Sequence, residues 1–304
     1  MTVLMVSALS CNPDLNPPPV LTGPVKDCQI DNIFLYNAVE GKEGFPELFT
    51  SPMQGWNLGV SVWAYNSDNN PAILHGAAQT IWDNATIDYN TDQTVNKITQ
   101  YAISGNGSGG PICQGDTCQK IFLFNYDANG NPGKITGERR DYNGNLISSF
   151  PVCDNEFDTD HRLILQKYPD QSYWRFEYNT QGNLFRMYHQ GFKESAELLI
   201  YEFKSYDDKT NFAKTNPFWQ LYFNTYSNNN PLSYRHYTGK IQLPTGGFIN
   251  GFVDVKEKYN YGANFGRLPT AAEFDNADTG IPFFENYPLN YISYQCKSII
   301  TPGN

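Results

Sequence analysis

Residues 126–132 read Tyr-Asp-Ala-Asn-Gly-Asn-Pro, and variants of this phrase recur along the chain. Residues 178–184 read Tyr-Asn-Thr-Gln-Gly-Asn-Leu, residues 65–71 read Tyr-Asn-Ser-Asp-Asn-Asn-Pro, and residues 141–146 give a compressed copy, Asp-Tyr-Asn-Gly-Asn-Leu. Asn-Gly and Gly-Asn steps supply the positive φ values that two-residue hairpin turns need, and Asn and Asp bond their own backbone within turns. The phrase therefore predicts a series of β-hairpins.

The residues before each turn alternate as half-buried strands do. In 173–178 the aromatic residues Trp174, Phe176 and Tyr178 fall on one face and charged residues fall on the other. The copies of the phrase are unevenly spaced, which favours unequal hairpins over a strict solenoid. We therefore predict an all-β fold, an antiparallel β-meander of successive hairpins that forms a strongly curved sheet, with at most one or two short helices.

One short helix is predicted within 216–223. Asn216 would cap its N-terminus and Pro217 would occupy its first turn.

Composition limits the possible partners. The chain has 304 residues, a formal charge of −10, 15% aromatic and 17% charged residues. The negative charge argues against nucleic acid as a partner and against adsorption to anionic lipid by electrostatics alone. High aromatic and low charged content is typical of a β-rich protein outside the cytoplasm.

The N-terminus resembles the end of a bacterial lipoprotein signal. A short apolar run at 3–10 precedes Cys11, the predicted lipidated residue, and no basic residue precedes the run. We divide the chain into a signal remnant with this cysteine at 1–11, a Pro-rich tether at 12–30 and a single β domain at 31–304. The alternative for the first residues is an ordinary apolar N-terminal strand.

The other cysteines suggest disulfides. Cys113 and Cys118 flank a turn-like insert and could staple a hairpin, while Cys28 and Cys296 could tie the two ends of the domain together. Cys153 would then be left over. Connectivity stays open at the sequence level, and a zinc site is disfavoured because no His lies at ligand spacing.

The phrase resembles the YD repeats of Rhs-type and teneurin-type proteins. The whole layout is similar to uncharacterised lipoproteins of Bacteroidota that carry such repeats, including Tyr-Asp-Asp-Lys-Thr-Asn at 206–211 and Asn-Asn-Pro at 229–231. The resemblance covers about residues 1–235. It implies a curved antiparallel sheet and an outer-membrane lipoprotein at the cell surface or the periplasmic face, touching the membrane only through its anchor. It implies no established activity. Tyr206 departs from the pattern, since it is out of phase with Tyr201 and Phe203.

An acidic stretch after residue 153 is a candidate cation site. Asp154, Glu156, Asp158 and Asp160 alternate along it and supply the oxygen ligands that Ca²⁺ prefers. The stretch lacks the glycine of an EF-hand loop, and the alternative is a plain acidic connection. No other cofactor is expected.

Aromatic residues are the better functional clue. Ring faces beside Asn and Asp suit sugars, which offer apolar faces and hydroxyl edges. The alternative is that these rings fill the core. The candidate ligand-binding residues are Trp174, Trp219, Tyr222, Tyr226 and Tyr234.

These observations favour a non-enzymatic surface module for binding or assembly. Its expected partner is a polysaccharide or a surface protein, with glycan as the favoured ligand class. Carboxylates are plentiful but none lies in a catalytic motif, so a polysaccharide hydrolase is the first alternative. The second is a structural part of a surface complex or fibre joined through sheet edges.

Overall fold

The computed structural model describes residues 28–35, 58–76, 84–101, 117–223, 226–242, 248–261, 269–274 and 288–296. These residues confirm the predicted antiparallel meander and its short helix. The strands are β1 Cys28–Leu35, β2 Leu58–Tyr65, β3 Pro71–Gly76, β4 Asn84–Tyr89, β5 Val95–Tyr101, β6 Gln119–Asn125, β7 Lys134–Arg140, β8 Leu146–Phe157, β9 Leu163–Lys167, β10 Tyr173–Tyr178, β11 Leu184–Gln190, β12 Leu198–Thr210, β13 Asn229–Gln242, β14 Phe248–Tyr261, β15 Pro269–Phe274 and β16 Pro288–Cys296.

The described strands form one curved sheet that closes on itself. Each strand pairs antiparallel with its neighbours in the chain, and β1 also pairs with β16. The register places Cys28 opposite Cys296. The first strand therefore begins inside the range 12–30, which the sequence suggested was a tether.

Because the strands alternate in direction, the hairpins alternate between two ends of the sheet. The turns after β2, β4, β6, β8 and β10 lie at one end, together with the β12–β13 connection, and this end is called the insert end. The turns after β7, β9 and β11 lie at the opposite end. β1 starts at the insert end, because it pairs antiparallel with β2, which finishes there.

The turns differ from the two-residue type predicted from the sequence. In residues 127–131, the Asp127 N–H donates to the Asn131 carbonyl (2.9 Å) and the Gly130 N–H donates to the Asp127 carbonyl (3.1 Å). Only Gly130 has a positive φ, +80°. The loop thus has three residues, the last of them left-handed. The equivalent left-handed residues of the other turns built this way are Asn69, Gln93, Gly144, His161, Gln171 and Gly182.

The acidic or amide residue that opens the turn holds it together. Asp127 Oδ1 accepts from the backbone N–H groups of Asn129 (2.8 Å) and Asn131 (2.9 Å). Asn66, Asp141, Asp158 and Asn179 accept the same pair of bonds in their own turns. This repeated side-chain acceptor explains why the phrase requires Asp or Asn at its second position.

The predicted helix is α1, Pro217–Phe223, preceded by a 3₁₀ turn at Phe212–Thr215. Asn216 caps α1 as expected, because its Oδ1 accepts from the Phe218 N–H at 2.8 Å. Both elements lie in the connection between β12 and β13.

The main core forms where this connection packs against the buried face of β2 to β8. Its contribution is Ala213, Phe218, Trp219 and Leu221, all at most 5% exposed. The strands contribute Val62, Leu74, Ala85, Ile87, Val95, Ile98, Phe122, Phe124, Ile135, Val152 and Cys153. A second cluster joins Tyr201, Phe203 and Tyr234 on β12 and β13.

The structure describes the cysteines only in part. Cys153 is free and buried, and burial raises its pKa to about 12. Cys118 is buried and disulfide-bonded. Cys113 lies outside the described residues, and only the backbones of Cys28 and Cys296 are described, so both pairings stay predictions.

Candidate ligand-binding groove

A ladder of tyrosine hydroxyls joins the turns of the insert end. Tyr89 Oη donates to the Pro71 carbonyl at 2.7 Å. Tyr126 Oη donates to the Val95 carbonyl at 2.9 Å. In both cases the acceptor is the first residue of the strand that follows the preceding turn at this end. The tyrosine of the phrase therefore fastens its own hairpin to the previous one.

The same contact recurs further along the sheet. Tyr178 Oη donates to the Leu163 carbonyl at 3.0 Å, and Tyr206 Oη donates to the Leu184 carbonyl. Both acceptors again begin a strand, β9 and β11. Burial raises the pKa of Tyr178 well above its ordinary value, in keeping with a neutral hydroxyl that donates.

Phe157 occupies the tyrosine position of one copy and cannot donate. The acceptor it would have used, the Pro132 carbonyl, instead takes a bond from Asn155 Nδ2 at 3.0 Å. The Phe157 ring meets the Tyr226 ring edge to face, with centroids 5.8 Å apart. An amide thus maintains the ladder where the hydroxyl is missing.

Tyr206 is the first residue of another copy of the phrase, and the two halves of this copy are separated in the sequence. A register shift after Phe203 returns Tyr206 to the aromatic face, with its ring centroid 6.2 Å from that of Phe203. Tyr206 pairs with Pro231 as Tyr65 pairs with Pro71. The departure in phase expected from the sequence is therefore absorbed by a bulge.

The two halves of the interrupted copy make the usual turn bonds. Asp207 Oδ1 accepts from the N–H groups of Lys209 and Asn230, each at 3.0 Å. These bonds match those of Asp127 with Asn129 and Asn131. Residues 206–210 and 229–231 are thus one hairpin phrase, and residues 211–228, here named the insert, interrupt it.

Asparagine side chains fasten the insert to the turns around it. Asn216 Nδ2 donates to Asn70 Oδ1 (2.7 Å), and Asn228 Nδ2 donates to the Gln181 carbonyl (2.7 Å). The Ser227 hydroxyl accepts from the Leu184 N–H at 2.9 Å. The insert therefore crosses the end of the sheet from the β2–β3 turn to the β10–β11 turn.

A groove of about 510 Å³ lies between the insert and the turns that follow β2, β4, β6 and β8. Its volume is within the range of small-molecule sites. Its aromatic lining residues are Tyr65, Tyr126, Phe157, Trp219 and Tyr226, and its amide lining residues are Gln29, Asn69, Asn70, Gln93, Asn129, Asn131, Asn216 and Gln220.

The deeper amides are held in place by hydrogen bonds between neighbouring turns. Asn70 Nδ2 donates to Gln93 Oε1 at 2.7 Å, and Asn131 Oδ1 lies 2.8 Å from His161 Nδ1. Asn70 and Asn131 are 7% and 5% exposed. Each buried asparagine thus contacts the left-handed residue of the next turn, so the floor of the groove is preorganised.

The rim of the groove is accessible and polar. Gln93, Asn129 and His161 are exposed there, as are the carboxylates of Asp68 and Asp92. Hydrogen bonds from Thr94 lower the pKa of Asp92, so this group is ionised at neutral pH. No Lys or Arg belongs to the described lining.

Two of the five predicted aromatic residues border the groove. Tyr226 lines it, whereas Trp219 lies beneath it with only 1% of its surface exposed, so the Trp219 ring has no free face for a ligand. Trp174 is half-buried on β10 and stacks on His189, with centroids 4.5 Å apart, away from the groove. Tyr234 is fully buried, which leaves its ring no face for a ligand. The side chain of Tyr222 lies outside the described residues.

The four candidate calcium ligands do not converge. Asp158 and Asp160 both pair with Arg162, at 2.6 and 3.0 Å. Glu156 pairs with Lys167 at 2.6 Å, and the Asp154 side chain is exposed on β8. Within the described part of the chain no three His, Cys, Asp or Glu residues gather as a metal site requires. Cys11 lies outside that part.

The amides that line the groove were not among the candidate residues chosen from the sequence. The phrase explains Asn70, Asn129 and Asn131 as turn formers, and their position at the groove depends on the fold. A signal was present, because Asn230-Pro231 repeats Asn70-Pro71 and Asn131-Pro132 and so marks the end of an interrupted copy.

No known family profile matches the chain, and no curated protein matches its sequence significantly. Solved structures with a similar arrangement include a porin-like protein from Bacteroides uniformis, with 11% identity, a TM-score of 0.45 and coverage of 88% of this chain and 98% of that one. They also include a Photorhabdus luminescens Tc holotoxin pore, with 9% identity and a TM-score of 0.20, covering 73% of this chain and 14% of the other.

A TcdB2–TccC3 structure gives a TM-score of 0.22 at 10% identity, covering 72% of this chain and 12% of that chain. At these values none of the likenesses indicates a function. None of the helices in the described residues has the length and apolar character that crossing a bilayer would demand.

Proposed function

We propose that this protein is a glycan-binding module whose ligand lies in the groove at the insert end. One observation carries the proposal: the groove combines preorganised amides with aromatic rings. An amide side chain both donates and accepts, which matches the two hydrogen-bonding roles of a sugar hydroxyl. Aromatic rings suit the apolar faces of sugar rings.

The proposal includes attachment to the outer membrane through Cys11, with the groove outside the cytoplasm. β1 begins at the insert end, and Gln29 belongs to the groove lining. Any tether that precedes Cys28 therefore joins the sheet beside the groove. A tethered module of this kind would hold a polysaccharide near the cell envelope.

A hydrolase is the second candidate, because Asp68 and Asp92 both line the groove. Glycoside hydrolysis requires two carboxyl groups that face each other across the scissile bond. Assembly through free sheet edges has less support. The first and last described strands pair with each other, so neither presents an edge.

The test is retention of the purified full-length chain on a panel of immobilised polysaccharides, with an assay for released sugar. Retention without release supports the binding module, and release of sugar overturns the non-enzymatic assignment. Absence of both over the panel would remove the glycan proposal.

A matched pair of variants makes the test specific to the groove. Asn129 and Asn143 hold the same position in two Asp-x-Asn-Gly-Asn turns, and in both the backbone N–H bonds the opening Asp, at 2.8 and 2.9 Å. Only Asn129 lines the groove. Asn129→Ala is expected to reduce retention, and Asn143→Ala is expected to leave it unchanged.

A further inference from the structure

The charge of the groove is one-sided. Asp68 and Asp92 are exposed at its rim, and its described lining contains no Lys or Arg. Two described basic residues close to the lining in sequence are engaged elsewhere, and Lys134, two residues from Pro132, is exposed outside the lining. Arg162 pairs with Asp158 and Asp160, and Lys214 donates to Asn228 Oδ1 within the insert.

His161 is the histidine of the described lining. Its Nδ1 lies 2.8 Å from Asn131 Oδ1, so the ring is already oriented by the buried floor. Asp68 and Asp92 are the acidic side chains of the described lining.

An acidic ligand would therefore place its carboxylates beside two others without a cation between them. The repulsion between two unit charges about 4 Å apart is about 1 kcal/mol even in bulk water, and it is larger near a protein surface. An uncharged sugar meets no such penalty and still uses the amides as donors and acceptors.

We infer that the groove selects uncharged glycans over acidic ones, and that Asp68 and Asp92 determine this selectivity. The inference rests on the proposed glycan-binding function and adds the ligand class. Repulsive groups that exclude a near-identical ligand are a common source of specificity. The overall charge of −10 acts in the same direction for long polyanions.

The experiment uses pairs of ligands that differ only in charge. Short glucan and mannan chains are titrated into the full-length chain at pH 8, next to the same chains with their primary hydroxyl groups oxidised to carboxylates. The wild-type protein is expected to bind the uncharged member of a pair at least about tenfold more tightly, since two nearby like charges oppose the oxidised one.

Protein variants then test whether Asp68 and Asp92 cause the selectivity. The double variant Asp68→Asn, Asp92→Asn keeps side-chain oxygens that can accept the bonds of Asp92 with the Thr94 N–H and hydroxyl. It should bind oxidised chains about three- to tenfold more tightly than wild type, so that the ratio of the two affinities falls. Asp141→Asn, at the opposite end, should leave the ratio unchanged. Added salt should shrink the wild-type preference.

Two outcomes overturn the inference alone. One is wild-type binding of oxidised chains as tight as that of uncharged chains, and the other is a ratio that the double variant leaves unaltered. In both cases glycan binding itself stands. If the wild-type protein binds neither member of any pair, the proposed function fails and the inference fails with it.

Discussion

Residues 127–131 and 141–145 both read Asp-x-Asn-Gly-Asn, yet they end up in different surroundings at opposite ends of the sheet. Their internal bonds match, since the Asp N–H to Asn carbonyl distances are 2.9 and 3.0 Å and both Gly N–H to Asp carbonyl distances are 3.1 Å. In both turns the last Asn donates from Nδ2 to the opening Asp, but Asn131 is buried and its Oδ1 contacts His161 of the next turn, whereas Asn145 is exposed. The local phrase builds the hairpin, and its position in the sheet decides whether the turn also forms a site.

The residue before the turn marks this difference. At the insert end Tyr126 precedes Asp127 and donates across to the previous hairpin. At the opposite end Arg140 precedes Asp141 and instead bonds Glu138 and the Gly144 carbonyl within its own hairpin. The tyrosine is thus the part of the phrase that joins hairpins together. Four predictions test this contrast between the two ends.

The largest expected effect is on the core beneath the insert. Trp219→Ala should lower the free energy of unfolding by about 3–5 kcal/mol, as truncating a buried large ring does. Trp63→Ala is the control, because Trp63 is 66% exposed, and a change within about 0.5 kcal/mol is expected. Urea unfolding measures both, with backbone circular dichroism as the signal because it does not rely on tryptophan fluorescence. Equal effects would contradict the placement of the insert in the core.

Three glycines with nearly the same backbone φ angle test whether the insert is held against the β10–β11 turn. Gly130, Gly144 and Gly182 have φ of +80°, +81° and +77°. A Cβ on Gly130 or Gly144 meets nothing within 4 Å, but a Cβ on Gly182 would overlap Asn228 Nδ2. Alanine at the first two should cost about 1–2 kcal/mol of backbone strain, and at Gly182 about 1–3 kcal/mol more.

The measurement for these glycine variants is the midpoint of urea unfolding at fixed slope. An Asn228→Ala background should remove the extra cost at Gly182, because the clashing amide is gone. If all three glycine variants lose the same stability in the wild-type background, the insert is not held against the β10–β11 turn as described.

The tyrosine ladder should give a smaller effect. Tyr126→Phe removes the bond to the Val95 carbonyl and should cost about 1 kcal/mol. Tyr142→Phe is the control, because Tyr142 is 67% exposed at the opposite end and should change nothing measurable. Thermal or urea unfolding of the pair is sufficient. If Tyr126→Phe does not change the unfolding midpoint, the ladder does not stabilise the insert end.

The smallest expected effect is on the stability of the fold at acid pH, and we expect it at both ends of the sheet. The Asn131 N–H lowers the pKa of Asp127, and bonds from the Asn145 side chain and N–H lower that of Asp141. A carboxyl with a lowered folded-state pKa stabilises the fold above its ordinary pKa and loses that contribution as the pH falls through the lowered value.

Asn occupies the same position in the turns that Asn66 and Asn179 open. Asp127→Asn and Asp141→Asn should therefore be nearly neutral at pH 7 and should each lose less stability than wild type on acidification below pH 4. Urea midpoints between neutral and acid pH report this. A variant that loses as much as wild type would contradict the assigned acceptor role.

The sequence predicted the class of fold because its information is local. The repeated phrase and the alternation around Trp174 and Phe176 specify hairpins, and Asn216-Pro217 specifies a capped helix. The two-residue turns were wrong because an Asn-Gly step serves equally well in a three-residue loop whose last residue is left-handed. Closure of the sheet was not predicted, since it depends on β1 pairing with β16 at the far end of the chain.

The candidate site was only partly predictable, and the reason is again distance along the chain. Tyr226 reaches the groove and Trp219 lies beneath it, but the exposed polar groups there come from four turns far apart in sequence. Whether an asparagine such as Asn129 or Asn143 faces a groove depends on the direction of its strand and on what the insert covers. Neither property can be predicted from the sequence of the turn.

The most direct test of the account is a calorimetric titration that compares Asn129→Ala with Asn143→Ala against the uncharged glycan that the panel identifies. The two variants change the equivalent residue of two turns of the same type, so a general loss of stability should affect them alike. The account predicts that Asn129→Ala weakens binding by about tenfold, the loss of roughly 1.4 kcal/mol of contact, and that Asn143→Ala binds like wild type. Equal affinities of the two variants, or a loss confined to Asn143→Ala, would contradict a ligand site at the insert end.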